Sequence, residues 1–310
     1  FRALRTIPVL KDFTDDMAEV CPNAYFLNYT NPMAQLAGYL GRYTPIKSVG
    51  LCHSVQGCSR NLLKDLGIEY KEPLRESIAG INHMGWLLEL EDADGNDLYP
   101  EIRERAIAIL ESGKTDHHDL VRYEYIRRLG YYCTESSEHN AEYNNFFIKA
   151  KYPELIERYN IPLDEYPRRC INQIENWKKD REKYMHDDVT HTRTTEYASY
   201  IMEAIVTDIP YKIGGNVINN GLIPNLPAEA CVEVACLVNK NGIQPCAQKP
   251  LPLQLAAMNS AMIGVQLLTI EAAVTQKKET IYQAAMLDPH TSSAVSYTHL
   301  RAHETLMNLV

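Results

Sequence analysis

Cys52 and His83 each stand at the end of a short apolar run. A thiolate and an imidazole delivered from neighbouring strand ends can grip one divalent metal between them. The plainer alternative is a packed free thiol and a hydrogen-bonded imidazole, because spacing alone does not make a ligand pair. His53 offers a second imidazole at the first of these strand ends, and it too could be a packed polar group. The run Thr134-Glu135-Ser136-Ser137-Glu138-His139 sets two carboxylates and an imidazole just after a helix that stops at Gly130. A carboxylate partly buried beside a metal can be tuned to move protons near neutral pH, whereas a solvated, helix-capping loop would need no such role. Asn216-Val217-Ile218-Asn219-Asn220-Gly221 ends an extended segment, and amides such as Asn219 could bind sugar hydroxyls. The φ > 0 geometry of an Asn-Gly turn accounts for the same residues equally well. His117-His118, and His186 with His191, have no carboxylate or cysteine at ligand spacing and read as exposed loop histidines.

The elements that must position these groups can be read from periodicity. Arg2 to Met17 has helical spacing, and Ala24 to Leu27 is a strand feeding Asn28-Tyr29-Thr30-Asn31-Pro32. Asn31 suits a helix N-cap and Pro32 the first helical position, with the helix continuing from Met33 to Leu40. Ile46 to Leu51 is a second strand, Ser54 the expected cap of a helix to Leu66, and Gly67 its stop. A third strand near Ser77 to Ile81 ends at Asn82-His83-Met84, and Trp86 to Leu90 with Asp92-Ala93-Asp94-Gly95 forms a hairpin. Successive β-α units of this kind predict a parallel, doubly wound α/β sheet with ligands at the carboxyl ends of its strands. From Pro100 to Gln276 the pattern is mainly helical, including Arg168 to Tyr184 and Thr194 to Val206. Extended pieces fall at Tyr211 to Ile218 and Cys231 to Val238, the mark of a second, α+β substrate domain.

The 310 residues, 45% hydrophobic and 23% charged, supply ample material for a core and exclude disordered and collagen-like classes. The net charge of -9 argues against a broad grip on nucleic acid or anionic lipid, and a neutral small molecule suits it better. Leu251 to Val274 is the longest apolar stretch, yet Gln254, Asn259 and Gln266 interrupt it, so it reads as a buried helix and not as a span of roughly 18 apolar residues. Eight cysteines without the spacing of a disulfide scaffold favour a reducing, cytoplasmic setting.

Taken together, Asn28-Tyr29-Thr30-Asn31-Pro32-Met33, Gly50-Leu51-Cys52-His53-Ser54-Val55-Gln56-Gly57, Ala79-Gly80-Ile81-Asn82-His83-Met84 and Thr134 to His139 resemble, in order and spacing, the α-galactosidase branch of glycoside hydrolase family 4. The resemblance continues through Pro162 to Pro167, Asn225-Leu226-Pro227 and Val232-Glu233-Val234 to Asp288-Pro289-His290. It implies a partial Rossmann-type domain over residues 1-90, related to lactate and malate dehydrogenases, joined to an α+β substrate and metal domain over 91-295. It implies NAD and manganese as cofactors, Cys52 and His83 as metal ligands, and Asn31, Asn82 and Asn219 as substrate or cofactor contacts. His53 is implied as an acid at the leaving group and Glu138 as the base, with Tyr143 and Glu135 as further candidates. The implied reaction differs from two-carboxylate hydrolysis: oxidation at C3, deprotonation at C2, elimination, water addition and re-reduction.

Two departures from the family pattern stand at the ends. The chain opens on Phe1-Arg2-Ala3-Leu4-Arg5, past the strand and glycine-rich turn that would anchor the dinucleotide phosphates, so weak NAD binding is expected of this chain. Residues Ser296 to Val310 leave the pattern and read as a non-family tail, in which the helical spacing of His299 and His303 is accidental. The implied partner is a small α-galactoside, with a homo-oligomer expected when full length and no nucleic acid or membrane partner. Competing readings are an α-galacturonidase or α-glucosidase of the same family, an NAD-dependent hydroxy-acid dehydrogenase with an arginine fork and no metal, and an inactive sugar-binding fragment.

Overall fold

The computed structural model describes residues 1–187, 192–291 and 293. The expectations for His191, for His299 and His303, and for the tail from Ser296 lie outside the described residues. Helix α1 (Arg2–Val20) leads to strand β1 (Tyr25–Asn28), helix α2 (Met33–Tyr43) and strand β2 (Lys47–Gly50). The β1-to-α2 turn is tied by Asn28, whose Oδ1 accepts the Thr30 N–H at 3.1 Å. Helix α2 begins one residue later than the capping pattern predicts. Pro32 occupies the cap position, and Asn31 Oδ1 still accepts the Met33 N–H at 3.2 Å. The face carrying Met33, Leu36, Ala37 and Leu40 is buried, each leucine contributing roughly 2 kcal/mol by leaving water.

After β2 a single 3-10 turn (His53–Val55) intervenes, so Ser54 lies inside it and caps nothing. Helix α3 (Cys58–Leu66) starts instead from Gly57 at φ 68 and stops at Gly67, as the glycine predicts. Strands β3 (Arg75–Ile81) and β4 (Met84–Glu91) form a hairpin in which Ile81 faces Met84, leaving Asn82-His83 as its turn. The chain continues through α4 (Tyr99–Glu111), α5 (Leu120–Leu129), β5 (Tyr132–Cys133), α6 (Ser137–Tyr143), α7 (Glu154–Arg158), α8 (Glu165–His186) and α9 (Tyr197–Thr207). It closes with β6 (Tyr211–Ile218), β7 (Cys231–Asn239), β8 (Gly242–Pro245), α10 (Leu253–Thr275) and α11 (Lys278–Leu287).

The eight strands of the described residues join one sheet in the order β1-β2-β6-β7-β3-β4-β5, with β8 on β7. The succession of parallel units predicted from sequence holds only for β1 and β2; β3 runs antiparallel to both β4 and β7. Strands β6 and β7 from the later part of the chain lie between β2 and β3, so the division at residue 90 crosses a continuous sheet. Helix α10 is long and apolar enough, by length and composition, to cross a membrane. Here it packs on α1, α2, α11 and β3, with Asn259 fully enclosed. Asn259 accepts the Trp86 indole N–H at 2.8 Å and donates to the Met84 carbonyl at 2.9 Å, clamping the hairpin that carries His83.

Candidate active site

Cys52 lies at the carboxyl end of β2, in the crevice where α/β sheets bind ligands. Its backbone carbonyl accepts from the Tyr197 hydroxyl of α9, and its Sγ is 3.1 Å from Ser54 Oγ. His83 occupies the β3–β4 turn at φ 63, a left-handed conformation that a residue with a Cβ adopts only when its surroundings impose it. One ring nitrogen, Nδ1, is 2.9 Å from the Tyr143 hydroxyl; the other, Nε2, is 3.2 Å from Glu135 Oε2. Ligand atoms of Cys52, His83 and Glu135 all lie within 4.8 Å of one another. A thiol, an imidazole and a carboxylate converging in this way form a donor set suited to a transition-metal dication.

Around this triad lie buried polar atoms with no hydrogen-bond partner: Asn82 Nδ2, Thr134 Oγ1, Asn216 Oδ1 and Glu233 Oε2. Tyr123 Oη, Arg127 Nε and Asn140 Oδ1 also lack partners, but four orphans gathered beside one set of donor atoms suit an ion with its waters, or substrate hydroxyls. Glu233 is 1% exposed on β7, with Oε1 accepting the Asn216 amide at 2.9 Å. Burial pushes its carboxyl up to about 8, and the charge of Cys52 pushes the same way. Gly85 keeps room there, since a Cβ at that position would stand 3.1 Å from Thr134 Oγ1 and 3.2 Å from Glu233 Oε2. Burial likewise pushes the Tyr143 phenol up to about 12.

Asn31, Asn82, His83 and Tyr143 line one small cavity of about 90 Å³, which joins the ends of β1 and β3 across the sheet. A larger cavity of about 610 Å³ is lined by Glu233 together with Arg60, Glu76, Tyr197, Tyr200 and Lys212. His53, more than half exposed, sits with Nε2 2.6 Å from Glu196 Oε1 and its ring stacked on Tyr29, a pair able to hold a proton at the surface of the site.

Two expected site residues make contacts outside the Cys52, His83 and Glu135 set. Asn219 is completely buried, and its amide is spent on the carbonyls of Ile223, Leu226 and Pro227 and on the Ile223 N–H. It clamps a loop and has nothing left to offer a sugar; Asn216, three residues earlier, is the amide that faces Glu233. Glu138 groups with His139 and Glu142, with Glu165 and Arg169 as its further charged neighbours, and burial holds its carboxyl above the usual range. Of the three base candidates, Glu135 and Tyr143 are the ones that touch His83. Glu233 was missed as a site residue, although a lone carboxylate within Cys231-Val232-Glu233-Val234-Ala235-Cys236 is the kind of buried charge that flags one. His118 does gain carboxylates from the fold, Asp65 at 3.2 Å and Asp119 nearby. Asp119, however, is consumed by Arg122, Tyr132 and Ser137.

Residues 1–68 match the model of the family 4 glycosyl hydrolases, and residues 78–291 match that of the family 4 glycosyl hydrolase C-terminal domain. The chain belongs to glycosyl hydrolase family 4. It is 59% identical over 297 residues to an α-galactosidase of Bacillus subtilis, covering 96% of this chain and 68% of that protein. An α-galactosidase of Rhizobium meliloti is 32% identical over 299 residues, covering 92% of this chain and 59% of that protein. Among solved structures, a 6-phospho-α-glucosidase from gut microorganisms in complex with NAD and Mn2+ superposes with a TM-score of 0.76 at 19% identity, covering 99% of this chain and 71% of that one. At that identity the likeness establishes the fold, the Rossmann-type α/β architecture of the family 4 glucosidases.

Proposed function

We propose that this family 4 chain is the catalytic part of a cytoplasmic α-galactosidase that acts on small, neutral glycosides with the help of NAD and manganese. The observation that carries the reading is the convergence of Cys52, His83 and Glu135 on strand ends, with Tyr143 on the far nitrogen of His83. The α-galactosidase names of the two curated relatives support the sugar, and the NAD and Mn2+ in the solved neighbour support the cofactors. Cys52 and His83, with Glu135 as the third donor, would hold the metal; Asn31 and the carboxyl ends of β1 and β2 would face the dinucleotide. When bound, these groups supply reversible oxidation at C3 and Lewis acidity at the neighbouring sugar oxygens.

The chain's own residues handle protons and position. Tyr143, hydrogen-bonded to His83, would take the C2 proton in preference to Glu138, whose charged neighbours are His139, Glu142, Glu165 and Arg169. A phenol works as a base only when its proton is easily lost, and the cationic charge of the proposed metal site opposes the burial that holds Tyr143 high in its absence. His53, backed by Glu196, would protonate the departing oxygen. Turnover of a nitrophenyl α-galactoside by the full protein in deuterated water tests the reading, because an ordinary glycosidase never opens the C2–H bond. Solvent deuterium is expected at C2 of the released galactose; release of galactose without it would overturn the mechanism.

A further inference from the structure

A small cavity of about 150 Å³ lies between the α4–α5 loop, α5 and the end of α7, with Lys114, Thr115, Glu124, Arg127, Arg158 and Tyr159 in its wall. At roughly 30 Å³ for each water of liquid, that is room for a tetrahedral oxyanion. Three of these side chains are cations and one is a carboxylate, in a chain whose net charge is -9. Glu124 is already answered on both oxygens, one accepting from Arg128 Nε at 2.9 Å and the other from Arg127 Nη2. Lys114 and Arg158 are left without an acidic partner among the described residues. A cation near a helix end ordinarily serves the free carbonyls there, as Arg105 does on Leu66 and Gly67 and Arg103 on Gly130. Among the described residues neither the Lys114 ammonium nor the Arg158 guanidinium makes such a bond, and Arg158 lies instead 5.6 Å from the centre of the Tyr159 ring.

Arg127 supplies an independent sign. Its Nη2 is committed to Glu124, but Nε is buried and has no partner. A buried guanidinium N–H without an acceptor costs stability, and cations gathered around one space repel each other unless an anion lies between them. The fold nevertheless holds them together. Asn160, two residues beyond Arg158, donates to the His117 carbonyl at 3.3 Å and so ties the end of α7 to the loop that carries Lys114 and Thr115.

We propose that this cavity is a binding site for a phosphate-type oxyanion, separate from the metal and sugar site, with whose cavities it shares no lining residue. Arg127 and Arg158 offer planar guanidinium donors, Lys114 a point charge and Thr115 a hydroxyl, a donor set that matches the oxygens of phosphate. The same chemistry comes from inorganic phosphate or from the phosphate end of a small monoester, and the test separates the two.

Isothermal calorimetry on the full protein, freed of metal and NAD and held at constant ionic strength with sodium chloride, reads the site directly with inorganic phosphate and, in parallel, a hexose 6-phosphate. Phosphate is expected to bind, and the double variant Lys114→Gln/Arg158→Gln to weaken binding at least tenfold with an unchanged far-ultraviolet circular dichroism spectrum. Lys71→Gln, which removes a cation paired with Asp94 outside the cavity, should leave the affinity as it was. Tighter binding of the hexose phosphate assigns the site to a monoester, and tighter binding of inorganic phosphate to the free ion. A melting experiment checks the site without calorimetry: phosphate should raise the melting temperature of the unmodified protein over chloride at matched ionic strength, and the rise should vanish in the double variant. No binding of either anion at millimolar concentration, or equal binding by the unmodified protein and the double variant, overturns the proposal.

Discussion

Asn259→Leu removes the clamp between α10 and the β3–β4 hairpin while leaving a side chain of similar volume. Two buried partners lose their bonds: the Trp86 indole N–H, now 2.8 Å from Asn259 Oδ1, and the Met84 carbonyl, 2.9 Å from its Nδ2. Trp86 and Asn259 are completely enclosed and Met84 is 2% exposed, so water does not replace the lost partner without opening the packing. Each stranded group costs about 1–3 kcal/mol, and the two together about 2–6 kcal/mol. The greater apolarity of leucine returns part of this, leaving an expected loss of about 3 kcal/mol. Against a total stability of roughly 5–15 kcal/mol this is a large fraction, and at a urea slope of about 3 kcal/mol/M it lowers the midpoint by about 1 M. The assay is urea unfolding followed by tryptophan fluorescence, with the slope checked for constancy. A midpoint within about 0.2 M of the parent would refute the claim that Asn259 is what satisfies these two groups. The hairpin also carries His83, so manganese affinity should weaken by about tenfold in the same variant, the usual effect of loosening the support of a ligand.

Other perturbations should separate the roles proposed for the site. Cys52→Ser and His83→Ala should each weaken manganese binding at least about tenfold by isothermal calorimetry, because a hydroxyl or a methyl replaces a soft or aromatic donor; unchanged affinity in either would remove that residue from the ligand set. Tyr143→Phe should suppress deuterium exchange at C2 and hydrolysis together by about 100-fold or more with metal affinity retained, while Glu138→Gln does not; the reverse pattern would move the base to Glu138. Glu124 on α5 is partly desolvated, which favours its neutral form, but its bonds to Arg127 and Arg128 outweigh that and hold its carboxyl below the usual range. A depressed carboxylate stabilises the fold above its unfolded value and loses that contribution as pH falls through the folded one. Glu124→Gln should therefore lower the melting temperature at pH 7 and flatten the acid side of the stability curve; parallel acid curves for parent and variant would contradict this.

The residues of the site were legible in the sequence to the extent that they sit in local grammar. Asn31 before Pro32, Cys52 at the end of an apolar run and His83 after Ile81 are punctuation at strand ends, and a strand end is where an α/β sheet presents its chemistry. The helix stops at Gly67 and Gly130 were equally readable, both being left-handed positions that glycine fills without strain. Periodicity also identified β6 and β7 as extended, but a period of two says which residues share a face and nothing about which strand lies alongside. Tertiary structure alone placed those two strands between β2 and β3, and so brought Glu233 and Asn216 to the triad from the far end of the chain. It alone turned Asn219 inward, where three carbonyls and an N–H exhaust its amide, and set Glu135 and Tyr143 on the two nitrogens of His83 while Glu138 joined His139 and Glu142. The physical reason is that ionisable groups act over a few ångströms, whereas local sequence fixes only conformation; which carboxylate reaches the site is settled by how sheet and helices close over one core.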